Sequence, residues 1–128
     1  MDKQMSSGLR LTFLLHFIVA LVVGLIYLLI PVPWGNLVNW PIQEPPVYRL
    51  LGAAILAFSA SSWWAYRAVL WERVRIVVQT EIVWAILGTL VMLWALLFAG
   101  LPSFGWVNAI ILGAFAVAFA FFYARERA

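Results

Sequence analysis

Four apolar runs alternate with short polar stretches along the chain: Leu11–Ile30, Arg49–Tyr66, Ile76–Ala99 and Phe104–Tyr123. Each is close to the ~20 residues that an α-helix needs to cross a hydrocarbon core. The pattern predicts an all-α, polytopic membrane protein in one domain, residues 1–128, built as two helical hairpins. The first run is longer than a signal-peptide core of about 7 to 15 residues, and no small-residue cleavage pattern follows it, so it reads as a retained helix. Pro31, Pro33, Pro41, Pro45 and Pro46 mark the first connection as a turn-rich loop, and GLPSFG marks the third as a tight one. Ser103 is placed to cap the fourth helix.

Basic residues orient the bundle. Lys3 and Arg10 precede the first helix, Arg67, Arg73 and Arg75 lie between the second and third, and Arg125 and Arg127 follow the fourth. The opposite side holds only Glu44 and Arg49 as charges. The excess of bases predicts that both termini and the middle loop are cytoplasmic, in a multi-pass protein of the cell membrane. Trp63, Trp64, Tyr66, Trp71 and Tyr123 would form the inner aromatic belt, and Tyr27, Trp34, Trp40, Tyr48 and Trp106 the outer one.

Composition agrees. Of 128 residues, 66% are hydrophobic and 10% charged, with a mean hydropathy of +1.03; a soluble domain carries about 25% charged residues. The net charge of +3 sits beside hydrophobic spans, so it reads as a topology signal and not as a nucleic-acid surface. With no cysteine and one histidine, thiolate metal sites, disulfides and multi-histidine metal centres within one protomer are excluded. No cofactor is expected. P-loop, GxGxxG, HExxH and GxSxG patterns are absent, and the chain is read as non-enzymatic.

One carboxylate breaks the apolar pattern. In VRIVVQTEIVWAILG, residues 74–88, Glu81 lies six residues past Arg75; His16 lies six past Arg10, and the two pairs are offset by 65. Glycine follows in each helix, at Gly24 and Gly88, so a weak repeat of two parallel hairpins is one reading and shared apolar composition the other. Six residues at 1.5 Å set both side chains roughly 9 Å beyond their arginines, at one level. Ser59, Ser61 and Ser62 approach that level from the second helix, with Gln79 and Thr80 adjacent. Glu81 shares a face with Ala85, Gly88, Met92, Ala95 and Ala99, and His16 with Ala20, Gly24 and Tyr27; small residues of this kind line helix–helix contacts in lipid.

An acidic residue at mid-helix costs about 2.5 to 3.5 kcal/mol on insertion scales. Protonation, pairing with His16 or water from the cytoplasmic side would each relieve it. The functional reading is a proton or ligand site made of Glu81 and His16, with Trp84, Ser59, Ser62 and Gln79 around it. The structural one is a polar layer that sets register, with Glu81 reaching back to Arg75 or bonded to serines. Trp84, one turn on, would cap a pocket or merely pack. The outer loop is a second candidate: Glu44 and Arg49 would pair beside Trp40, either as a docking loop or as a proline-stiffened turn. The basic, aromatic stretch RAVLWERVR suits anionic headgroups, or serves topology alone.

WPIQEPPVYRLLGAA and WERVRIVVQTEIVWAILG resemble stretches of small prokaryotic four-helix membrane proteins of unassigned function. That resemblance implies the topology and no activity. EIVWA is also similar to the E-x-x-W of guanidinium-exporting small multidrug-resistance transporters, although there it lies on the first helix and here on the third. The analogy is chemical: a membrane carboxylate beside a tryptophan can bind a cation.

The leading functional expectation is a protein that acts through helix packing, as an accessory subunit of a membrane complex or a homo-oligomeric scaffold; its small-residue faces and short termini motivate it. The alternative is a small proton-coupled carrier or channel for a cationic or polar solute, using Glu81 and His16. The partners expected are the lipid bilayer and copies of itself or other membrane subunits, with no nucleic acid.

Overall fold

The computed structural model describes residues 2–128. It is all-helical, with α1 (Ser7–Leu29), α2 (Pro31–Leu37), α3 (Pro45–Ala68), α4 (Trp71–Phe98) and α5 (Gly105–Glu126). α1, α4 and α5 are long and apolar enough to cross a membrane. α3 is 24 residues long but is made less apolar by Arg49, Arg67 and its serines.

Every long helix departs from the range read in the apolar pattern, because polar residues extend helices at their wet ends. α1 starts at Ser7 since the Ser6 side chain accepts the Leu9 N–H as an N-cap. α3 begins four residues before Arg49, at Pro45, where a missing N–H costs nothing in the first turn. α4 begins at Trp71 and not Ile76, with Glu72 in its first turn favoured by the helix dipole. The fourth apolar run is capped by Phe104 without a side-chain bond, so Ser103 is not its N-cap. The proline-rich connection is not all loop: Pro31 and Pro33 occupy the opening turn of α2. At the α4–α5 corner Gly100 takes φ +66°, and the Leu101 N–H returns to the Ala95 carbonyl, closing the helix end.

Two hairpins pack firmly, α1 on α3 and α4 on α5, and meet more loosely across α1–α5 and α3–α4. Within the first hairpin the backbones almost touch. A Cβ on Gly52 would lie 2.6 Å from Leu28 N, and one on Gly24 would lie 2.8 Å from the Leu56 side chain. Gly88 plays a similar part on Leu112, at 3.1 Å. In lipid such contacts are held by dispersion and not by water expulsion, so close approach is what stabilises them.

The ends carrying the termini are tied together. Only Val69 and Leu70 separate α3 from α4, and Val69 turns the chain at φ +66°, a strained conformation for a β-branched residue. The N-terminal segment pairs with this turn through Met5 N–H to the Val69 carbonyl and Trp71 N–H to the Lys3 carbonyl, both 2.8 Å. Glu126, nearly fully buried, accepts the Ser6 N–H at 2.6 Å and lies 3.4 Å from the Lys3 ammonium. Beneath this clasp Leu9, Phe13, Val74, Val78 and Phe119 form a solvent-free core with Met5 and Trp71.

The glycine contacts give a direct comparison. Gly52→Ala should lower stability by about 1 to 3 kcal/mol, the usual cost of overpacking, because its new methyl meets backbone. Gly113→Ala should be close to neutral, since its nearest neighbour is Thr89 at 3.8 Å. Denaturation of the two variants side by side reads the difference.

Candidate functional site

His16 and Glu81 meet. His16 Nε2 lies 3.2 Å from Glu81 Oε2, and both side chains are buried. α1 and α4 run the same way from the clasped end, which brings the two positions to one level. Ser62, from α3, completes a triangle: its Oγ is 2.7 Å from His16 Nδ1 and donates to Glu81 Oε1 at 3.4 Å.

These contacts constrain the protons. The one Ser62 hydroxyl hydrogen goes either to His16 Nδ1 or to Glu81 Oε1, and when it goes to Glu81 the hydroxyl accepts from Nδ1, which then carries a hydrogen. In a neutral imidazole Nε2 then bears a lone pair, and a bare carboxylate oxygen facing it would be repelled. In that arrangement one proton belongs between Nε2 and Oε2, on one atom or the other, and the pair has no net charge in either case. The contact is within ion-pair range, yet the geometry is not that of an aligned bond, and Oε2 is the one buried side-chain oxygen or nitrogen among the described residues without a hydrogen bond.

Aromatic rings enclose the triangle. Phe115 and Phe119 stand edge-on to the His16 ring, at 4.8 Å and 5.7 Å, and Phe13 packs on Phe119. Phe13, Phe119 and Val78 seal the pair from the clasped end, so water from that side does not solvate Glu81. Away from that end, a partly open cavity of about 130 Å³ runs between the hairpins from His16 to Tyr27. Trp84, stacked on Phe58 at 5.2 Å, forms one wall. Ala20 and Ala85, from the small-residue faces, line it as well.

Other expected members are elsewhere. Ser59 is buried but donates to the Phe17 carbonyl. Gln79 turns outward to the Tyr123 hydroxyl, and Thr80 bonds its own helix at Ile76. Ser61 lines a separate surface hollow. Arg75 pairs with Glu72, so Glu81 does not reach back to it. In the outer loop Glu44 and Arg49 do not pair: Arg49 donates to the Leu28 carbonyl, and Glu44 precedes α3 with no side-chain cap bond. Trp40 instead lines a small hollow with Tyr27, Trp34 and Tyr48.

No family model, curated protein or solved structure matches the chain. The site is therefore read from its own chemistry.

Two contributors were not anticipated from the residues. Asn108, on α5, lines the far end of the cavity beside Tyr27; its signal was that it is the only side-chain amide in that apolar helix. Glu126 lies in an Arg-Glu-Arg stretch that reads as a plain topology signal, and nothing local announces its burial.

Removing one partner of the pair leaves the other buried alone, which typically costs about 3 to 5 kcal/mol. His16→Leu and Glu81→Leu should each destabilise strongly, and the double variant should recover much of the loss. Additive losses in a double-mutant cycle would mean that the two side chains do not interact.

Proposed function

We propose that the chain crosses the cell membrane four times, with α3 as the fourth span and both termini in the cytoplasm, and works as a small proton-coupled carrier. The length of α3, about 36 Å at 1.5 Å per residue, supports its crossing beside α1. Arg10, Arg67, Arg73, Arg75, Arg125 and Arg127 lie toward the clasped end, which supports the orientation.

The observation that carries the carrier reading is the His16–Glu81 contact beside a partly open cavity between the hairpins. A buried ionisable pair is a poor way to gain stability, because apolar side chains of similar volume usually do as well or better. A proton-exchanging role accounts for its presence. With one proton between Nε2 and Oε2 the pair is neutral and suits a closed, dry bundle. Gaining a second proton, or losing the one, leaves a net charge that favours states admitting water. Among the described residues no other titratable group faces the pair: α3 presents Ser62, and α5 presents Phe115 and Phe119. The loose seams between hairpins, against the tight glycine contacts within them, suit movement of one hairpin relative to the other.

A second reading, an accessory subunit or homo-oligomeric scaffold working through helix packing, is favoured by Gly113. Gly24, Gly52 and Gly88 are tightly engaged inside the hairpins, whereas Gly113 meets Thr89 only at 3.8 Å and keeps part of its surface accessible.

Purified protein in vesicles, under an imposed pH gradient, distinguishes the two. Across a panel of neutral aromatics, amines and amides, the carrier should move at least one solute together with protons. Glu81→Gln should abolish the coupling in protein that still folds. Coupled transport surviving in Glu81→Gln would remove the mechanism. No transport by the native chain, with oligomer lost in Gly113→Leu, would establish the packing role instead.

A further inference from the structure

We infer that the central cavity is a site for a neutral, single-ring aromatic molecule bearing one hydrogen-bonding group, a phenol being the simplest. The inference rests on the carrier reading only in making this molecule the solute; the binding site itself stands on the cavity.

Size limits the occupant first. The cavity, about 130 Å³, is close to the about 150 Å³ of an apolar cavity that takes benzene. Its walls suit a flat ring. Phe58 and Trp84 stack on each other, 5.2 Å apart and 16° from parallel, and together make one aromatic wall, to which Phe115 adds a further ring. Val23, Ile55 and Leu112 fill in between.

Charge limits it next. No Lys, Arg, Asp or Glu lines the cavity. Glu81 sits behind the His16 ring, whose two nitrogens face Ser62 and Glu81, so neither is free for a solute. An anion would find no cation to balance it and mostly apolar surface and ring faces of the wrong sign. A cation would gain roughly 2 kcal/mol from a desolvated aromatic face, against an effective desolvation penalty of several kcal/mol per ion. A neutral molecule avoids that penalty.

One polar anchor is provided. Asn108 and the Tyr27 hydroxyl stand together at the end away from His16. Tyr27 also walls the outer hollow of about 10 Å³, which has room for no more than about one water. A ring packed against Phe58 and Trp84 can direct a hydroxyl toward this pair. Asn108 is thereby the residue that selects for a hydrogen-bonding substituent.

The test uses the full chain in detergent and 19F NMR of 4-fluorophenol, with 4-fluorobenzoate as the charged control and tetramethylammonium as competitor. Native protein should broaden 4-fluorophenol saturably and leave 4-fluorobenzoate unchanged. Asn108→Leu should weaken 4-fluorophenol binding roughly tenfold. Val23→Trp, which fills the cavity, should abolish it; if that variant does not fold, Ala20→Leu fills the same space. Identical broadening in native and filled protein would mean partition into the micelle and overturn the inference. So would displacement of 4-fluorophenol by tetramethylammonium, which would make the cavity a cation site. Saturable binding without pH-driven movement of 4-fluorophenol in vesicles would leave this site standing and count against the carrier. Proton-coupled movement of a different solute, with no 4-fluorophenol binding, would do the reverse.

Discussion

A carboxylate inside an apolar helix bundle must be neutralised where it stands, and the bundle is organised around meeting that demand at Glu81. Its charge cannot be handed to water, because Phe13, Val78 and Phe119 close the nearer end. It cannot be handed to Arg75, which is engaged with Glu72 at the surface. What is left is His16, held at 3.2 Å by the alignment of two helices from different hairpins. Ser62 then fixes the ring from the far side and occupies the second carboxylate oxygen. Three helices are thus joined at one level by the His16–Glu81 contact and two hydroxyl contacts.

The same arrangement divides the molecule into a rigid part and a yielding one. Within each hairpin, glycines let backbones approach until an added methyl would strike a neighbour. At the clasped end, backbone bonds from Lys3 and Met5 and the buried Glu126 join both hairpins to the N-terminal segment. Farther along, the hairpins touch mainly through rings, Phe58 on Trp84 and His16 against Phe115, and a cavity opens between them. The titratable pair lies where the tight end gives way to the loose one. A change of its charge therefore acts at the place where the two hairpins are most easily parted.

Much of this was legible in the residues, and the reasons are specific. Long apolar runs make helices whatever their neighbours do, so the four long helices were anticipated, three of them long and apolar enough to cross a membrane. Their ends were not, since Ser6, Pro45 and Glu72 act through caps and dipoles that apolarity does not register. His16 and Glu81 could be brought together because equal spacing from flanking arginines is a depth argument, and depth survives into the fold. Gln79 and Arg49 could not be placed in this way. Each had several partners within reach, and the choice of Tyr123 for Gln79 and of the Leu28 carbonyl for Arg49 depends on helix rotation. The cavity itself was out of reach, being a gap between side chains of four helices.

His16 is the only histidine in the chain, so selective 15N labelling of histidine reports this one ring without assignment. The account predicts a ring with hydrogen on Nδ1 and an Nε2 in contact with Glu81, and a large change in the Nε2 signal in Glu81→Gln. A freely titrating imidazole, or one hydrogenated at Nε2 alone and indifferent to Glu81→Gln, would contradict the shared proton on which the mechanism depends.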